Sequence, residues 1–232
     1  MATILHIESS TLTCSVAISR NGDMLALQES HDQSYAHSEK LVVYIDEVIK
    51  QAELKPSDLD AVCVSKGPGS YTGLRIGVSA AKGLCYGLGI PLLSVGSLES
   101  MAHLVKANFE NELADVSFLC PMIDARRMEV YMQLFDAGLN QLQAVSAEII
   151  DEKSFASELE KGRVVFLGDG AAKCKEIIQH TNAIFLDDFK TSASGMIPLA
   201  ESKFANKQFE DVAYFEPYYL KDFVAGKPKK MF

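Results

Sequence analysis

Over the first thirty residues apolar and polar positions alternate with a period of two, in TILHIE (3–8), CSVAIS (14–19) and MLALQES (24–30). The second and third runs are separated by Arg20-Asn21-Gly22-Asp23. Asn-Gly tolerates the positive φ of a two-residue hairpin turn, so the alternation predicts a three-stranded antiparallel opening. From residue 37 to 53 the period lengthens: Leu41, Val42, Ile45, Val48, Ile49 and Ala52 recur at helical spacing, and the run stops before Pro56. Val43 and Tyr44 widen this apolar stripe beyond one face. DAVCVS (60–65) reads as a buried strand that runs straight into the glycine-rich KGPGSYTGLRIG (66–77). Next come a helix over 73–88, a short strand in IPLLSV (90–95) and a helix over 98–107.

Between residues 108 and 117 polarity rises and periodicity lapses, and then the opening theme returns. FLCPMID and MEVYMQLFD form a second hairpin around Ala125-Arg126-Arg127, and AVSAEIID comes after it. The remainder predicts a helix at 154–161, the strand RVVFLGD, a helix at 172–180, the strand AIFL and a helix at 193–205. Two halves that each open with a hairpin and continue into alternating helix and strand predict a duplicated α/β fold of two small domains, 1–108 and 109–225. Residues 226–232, GKPKKMF, read as a basic mobile tail.

Composition narrows the function classes. A hydrophobic fraction of 48% over 232 residues supports a real core. A net charge of -9, from 22 Lys and Arg against 31 Asp and Glu, argues against autonomous nucleic-acid binding, which needs clustered cations to neutralise phosphates. The five cysteines, Cys14, Cys63, Cys85, Cys120 and Cys174, form no CxxC pair and read as reduced, buried thiols. The N-terminus lacks a basic segment leading into an apolar one, and no apolar run approaches a membrane span, so a cytoplasmic protein without membrane contact is expected.

The glycine loop invites three phosphate or nucleophile motifs and matches none. Thr72 and Leu74 stand five residues after Gly67 and Gly69, where GxxxxGK[ST] needs glycine. Gly67, Gly69 and Gly73 are spaced one residue too widely for a dinucleotide loop, and Tyr71 occupies the centre of what would be a nucleophile elbow. A loop opening a helix can still offer the amides of Ser70, Tyr71 and Thr72 to an anion. The helix after it carries Gly73, Gly77, Gly83 and Gly87, each costing about 1 kcal/mol relative to alanine, which implies a compensating close approach of another backbone. The neighbour is either the chain's own sheet or a partner helix; small and apolar residues on more than one side favour the partner. The five histidines are scattered, with no metal-ligand spacing. Glu8 and Asp124 each close the first strand of their half. A hairpin-turn hydrogen bond is the favoured reading for both, over a magnesium-linked carboxylate.

The order and spacing of ILHIESST, KGPGSYTGLRIG, MIDARRMEVY and EPYYL resemble the TsaB family over nearly the whole chain. The resemblance implies the duplicated ASKHA (actin/Hsp70-like, ribonuclease H-like) fold. It also implies a role in making threonylcarbamoyladenosine next to the tRNA anticodon, as the non-catalytic partner and activator of the transferase TsaD, assisted by the ATPase TsaE. Where the transferase carries a metal-binding HMEGH, this chain reads Ser97-Leu98-Glu99-Ser100-Met101, so the ligand positions hold Ser97 and Met101. No metal and no cofactor of its own are therefore expected, and a nucleotide at the transferase interface is left open. A nucleotide-dependent phosphotransferase or ATPase of the same fold is the alternative. A glycoprotease finds neither a zinc triad nor a nucleophile elbow.

The resemblance places the partner interface on the first two helices: His37, Leu41, Val42 and Tyr44 on one, and Leu74, Arg75, Gly77, Val78, Ala81 and Lys82 on the other. A homodimer would use the same surface, and tRNA would be met only within the complex, with Lys227, Lys229 and Lys230 of the tail as candidate contacts. The motif loop and cleft comprise Glu8, Ser9, Ser10, Gly67, Gly69, Ser70, Tyr71, Thr72 and Gly73, together with Asp124, Arg126 and Glu129 from the second half.

Overall fold

The computed structural model describes residues 2–31, 37–109 and 115–221. The tail at 226–232 and the middle of the polar stretch, 110–114, lie outside the described residues.

The first sheet contains β1 (Thr3–Glu8), β2 (Thr13–Arg20), β3 (Asp23–His31), β4 (Ala61–Gly67) and β5 (Leu92–Gly96), in the order β3-β2-β1-β4-β5. β1, β2 and β3 pair antiparallel, whereas β4 runs parallel to both β1 and β5. The second sheet contains β6 (Val116–Asp124), β7 (Glu129–Met132), β8 (Phe135–Asp136), β9 (Ser146–Ile149), β10 (Arg163–Leu167) and β11 (Ala183–Phe185). Its order is β11-β10-β6-β7-β9, with β8 pairing β6 to one side. With β8 set aside, both sheets have the order 3-2-1-4-5 in their own numbering and the same parallel and antiparallel pairings. The duplication seen in the hydrophobic pattern is a duplication of topology.

Helices cover the sheets: α1 (His37–Gln51), α2 (Tyr71–Leu88), α3 (Ser97–Asn108), α4 (Ala156–Lys161) and α5 (Ile197–Ala205). β1 is buried along its whole length, as befits a central strand covered on both faces. Leu5 and Ile7 enter one core with Leu41, Ile45 and Val48 of α1 and Val78, Ala81 and Cys85 of α2. Ile4 faces the opposite layer, with Cys63, Val95, Met196 and Ala200. All five cysteines are free and buried.

Two predicted helices change form. Residues 172–180 hold only a 3-10 turn, Ala172–Cys174, and then further turns. Its amides reach back three residues, Cys174 N–H to Ala171 O and Ile177 N–H to Cys174 O, the tighter winding that suits a short connection back to β11. The helix expected over 193–205 begins as a 3-10 segment, Ala193–Met196, and becomes α-helical at Ile197. Pro198, without an N–H, sits in the first turn of α5, where that donor is not needed.

The packing departs from a division into 1–108 and 109–225. α3 buries Leu98, Met101, Ala102 and Val105 among Val116, Leu119, Val165 and Leu167 of the second half. Ala193, Met196 and Ala200 pack beneath the first sheet. Each half thus completes its core with a segment from the other. After α5 the chain continues to Lys221 as an irregular strap: Glu210 N–H donates to Leu92 O at 2.8 Å, Tyr218 N–H donates to Lys66 O at 2.7 Å, and Lys221 pairs with Glu129.

Candidate functional site

The glycine loop and the turn between β1 and β2 are built against each other. A side chain on Gly69 would fall on the Ser10 carbonyl, one on Gly73 on the Ser9 carbonyl and one on Gly77 on the Ser9 hydroxyl. Two of the costly helix glycines, Gly73 and Gly77, and Gly69 of the loop therefore serve one contact, which lies inside the chain. Hydrogen bonds seal it: Ser70 N–H donates to Ser10 O at 2.6 Å, and the Ser9 hydroxyl donates to Gly73 O at 2.9 Å. Ser70 also caps α2, its hydroxyl accepting from Gly73 N–H at 3.2 Å. Gly67 has φ +110°, and a side chain there would meet Tyr218 O of the strap.

This arrangement commits two of the amides that could otherwise face an anion. The Ser70 amide is committed to Ser10, and the Ser10 amide donates at 2.6 Å to the Glu8 carboxylate, which is 1% exposed. Burial raises the Glu8 pKa, and hydrogen bonds from Ser9, Ser10 and Ser65 oppose that shift.

The second half repeats the motif with different chemistry. Asp124 ends β6, as Glu8 ends β1, and accepts from Arg126 N–H at 2.9 Å; Arg126 itself takes a left-handed φ of 72° in the turn. Unlike Glu8, Asp124 is exposed and pairs with Lys173, whose ammonium also donates to Glu129 O at 2.6 Å. The Glu129 carboxylate is taken by Lys221 of the strap. Asp169 accepts from Asp124 N–H at 3.1 Å, and burial, reinforced by the neighbouring Asp124 charge, raises its pKa. A cleft of about 450 Å³ between the halves is lined by residues of both, among them Thr11, Leu12, Asp169, Asp188, Lys190 and Thr191.

The ten interface candidates divide between core and surface. His37, Leu41, Leu74, Gly77, Val78 and Ala81 are buried within the chain's own first half and present nothing to a partner. This corrects their placement on the interface: the strongest apolar period on each helix marks the face that fills the core. Val42 is 69% exposed, Arg75 is exposed, and Tyr44 and Lys82 are half-buried. Arg75 lies 5.0 Å over the Tyr71 ring, which packs against Tyr219 of the strap at 4.8 Å. Thr72 is exposed beside them.

The outer face also includes Val43, which widens the apolar stripe of α1 in the sequence, and Tyr86, which the hydrophobic pattern does not single out. Val43 is 50% exposed and Tyr86 is 87% exposed. Gly83 and Gly87 open onto free space. The signal for Val43 lay in its position outside the core stripe. For Tyr86 it was a large aromatic set between two glycines on the side of α2 away from Leu74, Val78 and Ala81.

Ser97 and Met101, which the resemblance sets against a metal-binding motif, are buried in the first part of α3; Met101 packs against Gly168, where a side chain would meet its Cε. Among the described residues no group of three or more His, Cys, Asp or Glu is placed to hold a metal ion, and no helix is long and apolar enough to cross a membrane.

The chain is similar to known proteins in sequence and in fold. A family model described as "TsaD: tRNA N6-adenosine threonylcarbamoyltransferase" matches residues 30–229. A Bacillus subtilis protein named tRNA threonylcarbamoyladenosine biosynthesis protein TsaB is 32% identical over 76% of this chain and 75% of its own length. The Haemophilus influenzae protein of the same name is 27% identical over 97% and 96%. A crystal structure from Pseudomonas aeruginosa, described as an uncharacterized protein with similarity to peptidase YeaZ, superposes with a TM-score of 0.83 at 22% identity, over 95% of this chain and all of that one. At that identity the superposition speaks for the fold alone.

Proposed function

Because the chain belongs to the TsaB family, within the wider family of TsaD-like proteins, we propose that it serves tRNA threonylcarbamoyladenosine biosynthesis as the non-catalytic partner and activator of a TsaD transferase. The observation that carries this reading is the outer face of the first two helices. α1 and α2 fill the core with one side and hold Val42, Val43, Gly83 and Tyr86 out to solvent on the other. Large exposed apolar groups beside glycines that admit a close backbone suit a helical protein surface.

The inert half of the reading rests on chemistry spent internally. The turn that would receive phosphates is closed by the glycine loop, and the positions of the transferase's metal ligands are a buried serine and a core methionine. The chain has no cofactor of its own. TsaE and tRNA join at the level of the complex, and self-association through the same helices competes with TsaD.

The test is reconstitution. Transfer of the threonylcarbamoyl group to tRNA by TsaD, TsaE and the adenylate-forming enzyme is measured with and without this chain, and the chain alone is assayed for ATP turnover. Dependence on the chain, with no turnover by it alone, is the expected result. Transfer at full rate without it would overturn the activator role.

A further inference from the structure

The hairpin turn between β6 and β7 carries its charge on an unfavourable backbone. Arg126 and Arg127 have φ of 72° and 50°, the one pair of consecutive non-glycine residues with positive φ among the described residues. Left-handed backbone is disfavoured for an ordinary side chain, because Cβ crowds the following carbonyl. The first half meets the same demand between β2 and β3 with Asn21-Gly22, the residues that tolerate it best. Two arginines in such a place forgo stability, and outliers of this kind gather where a side chain serves something other than the fold. The acids beside the turn are already occupied. Lys173 pairs with Asp124, Lys221 of the strap pairs with Glu129, and Asp169 accepts from Asp124 N–H at 3.1 Å and lines the cleft. Both arginines are exposed, and neither guanidinium has an ion-pair or hydrogen-bond partner among the described residues. The pair of Lys221 with Glu129 also fixes where the cationic end of the chain begins. Lys227, Lys229 and Lys230 follow Lys221 by six to nine residues, at most about 22–32 Å of extended chain.

We infer that the Arg126-Arg127 turn is a contact for the phosphates of an RNA backbone, and that the cationic end of the chain continues along the same strand; this rests on the function proposed above, in which tRNA is met within the complex. A guanidinium presents a planar fork of donors that matches phosphate oxygens in pairs. A net charge of -9 turns a polyanion away from most of the surface, so unbalanced cations gathered at one place decide where it can come near. Two cations fixed on a turn and three on a tether suit a polymer that repeats its charge along its length. A folded acidic protein, with carboxylates at fixed points, suits such a line less well. Contacts to phosphate read no base, so the turn adds affinity and orientation without sequence preference.

The experiment measures binding of a transcribed tRNA by the purified complex of this chain with a TsaD-type transferase, as log affinity against log salt. Wild type is compared with the double variant Arg126→Asn/Arg127→Gly and with truncation after Ala225. Complex formation and thermal midpoints are recorded before RNA is added. The double substitution installs the turn chemistry of the first half, so an intact complex and a raised midpoint are expected. A lowered midpoint would show that the arginines serve the fold, and would overturn the inference. Two phosphate contacts, at about -0.7 to -0.9 each, should flatten the slope by about 1.4–1.8 and weaken binding roughly tenfold or more near 0.1 M salt. Flattening by about 0.7 or more, one contact's worth, sustains the inference, and a smaller change overturns it. Truncation is expected to flatten the slope further. If truncation alone flattens it, the turn has no part in binding and the inference falls; if the turn variant alone does, the turn stands without its extension. Weaker binding of the transferase with an unchanged RNA slope would make the turn a protein contact and overturn the inference. Wild-type chains that form no complex would overturn the function proposed above as well, whereas a complex that forms but binds tRNA alike in all variants, or not at all, overturns the inference alone.

Discussion

The two halves share a strand order but differ in the connection after their fourth strand. In the first, β4 leads into the eighteen residues of α2; in the second, β10 leads into a three-residue 3-10 turn. The preceding connections differ likewise, fifteen residues of α1 against six of α4. A sheet of this order needs cover on both faces, but cover can be thin. Helices as long as α1 and α2 have an outer side left over once their inner side is buried, and on it they carry apolar residues; α4, of which only Leu159 is buried, and the turns beyond β10 expose mainly polar and charged residues such as Glu160, Lys161, Lys175 and Glu176. The halves also treat their hairpin acid differently. Glu8 is buried beneath backbone donors, while Asp124 stays exposed and is balanced by Lys173. At this turn the first half is locked internally, whereas the second balances its acid with solvent-facing charge.

Substitutions can break this contrast. The largest effect is expected inside the first half, where Gly77→Leu forces a side chain onto the Ser9 hydroxyl. It should cost about 3 kcal/mol, the upper end of overpacking penalties, visible as a lowered denaturation midpoint. A midpoint equal to wild type would mean that the turn and the loop are not tightly joined.

Acid should discriminate next. The His6 ring, wholly buried on β1, is pushed down to about 3 by desolvation, below its ordinary value of 6.5. The folded state then binds fewer protons than the unfolded one. The stability tied to His6 is fully present above pH 6.5 and is lost as pH falls toward 3, by about 1.4 kcal/mol per unit. Between pH 7 and pH 5 the difference is about 2 kcal/mol, and His6→Gln, which can keep the bond to Ser19, should remove it from the urea-denaturation profile. Parallel profiles for the two proteins would exclude His6 as the cause.

A smaller effect of opposite sign is expected on the outer side of the same helix that carries Gly77. Gly83→Leu should raise stability by about 0.5–1 kcal/mol through helix propensity, while impairing association with the transferase. Destabilisation at Gly83 would place that face inside rather than outside. The smallest change belongs to the second half: Lys173→Met removes a partly exposed ion pair and should cost no more than about 1 kcal/mol, with a difference that shrinks in high salt. A loss comparable to that of Gly77→Leu would show that the two halves are locked to the same degree.

The elements were largely legible because each kind has its own period. Alternation gave the two hairpins, and Leu41, Ile45 and Val48 gave α1. The site was legible only in part, because one signal served two purposes. Leu74, Val78 and Ala81 carry the strongest period on α2 and mark its buried face, whereas the exposed face is marked by the lack of pattern around Gly83 and Tyr86. Glycines at 73 and 77 look the same in sequence as those at 83 and 87, yet the first pair meets Ser9 and the second meets open space. The strap has no period at all, and its placement depends on long-range bonds such as Lys82 to Phe215 O. The turn at Ala172–Cys174 looks helical because its composition is, and only the short return to β11 tightens it.

The exchange of end segments also fixes an order of events during synthesis. The underside of the first sheet is covered by Ala193, Met196 and Ala200, yet its last strand ends at Gly96. At typical elongation rates of about 5–20 residues per second, the ribosome needs roughly 5–20 s to add the intervening hundred residues. A nascent chain therefore carries a five-stranded sheet with one apolar face uncovered for most of the second half's translation. The interval before α5 arrives is when this protein has most need of a chaperone.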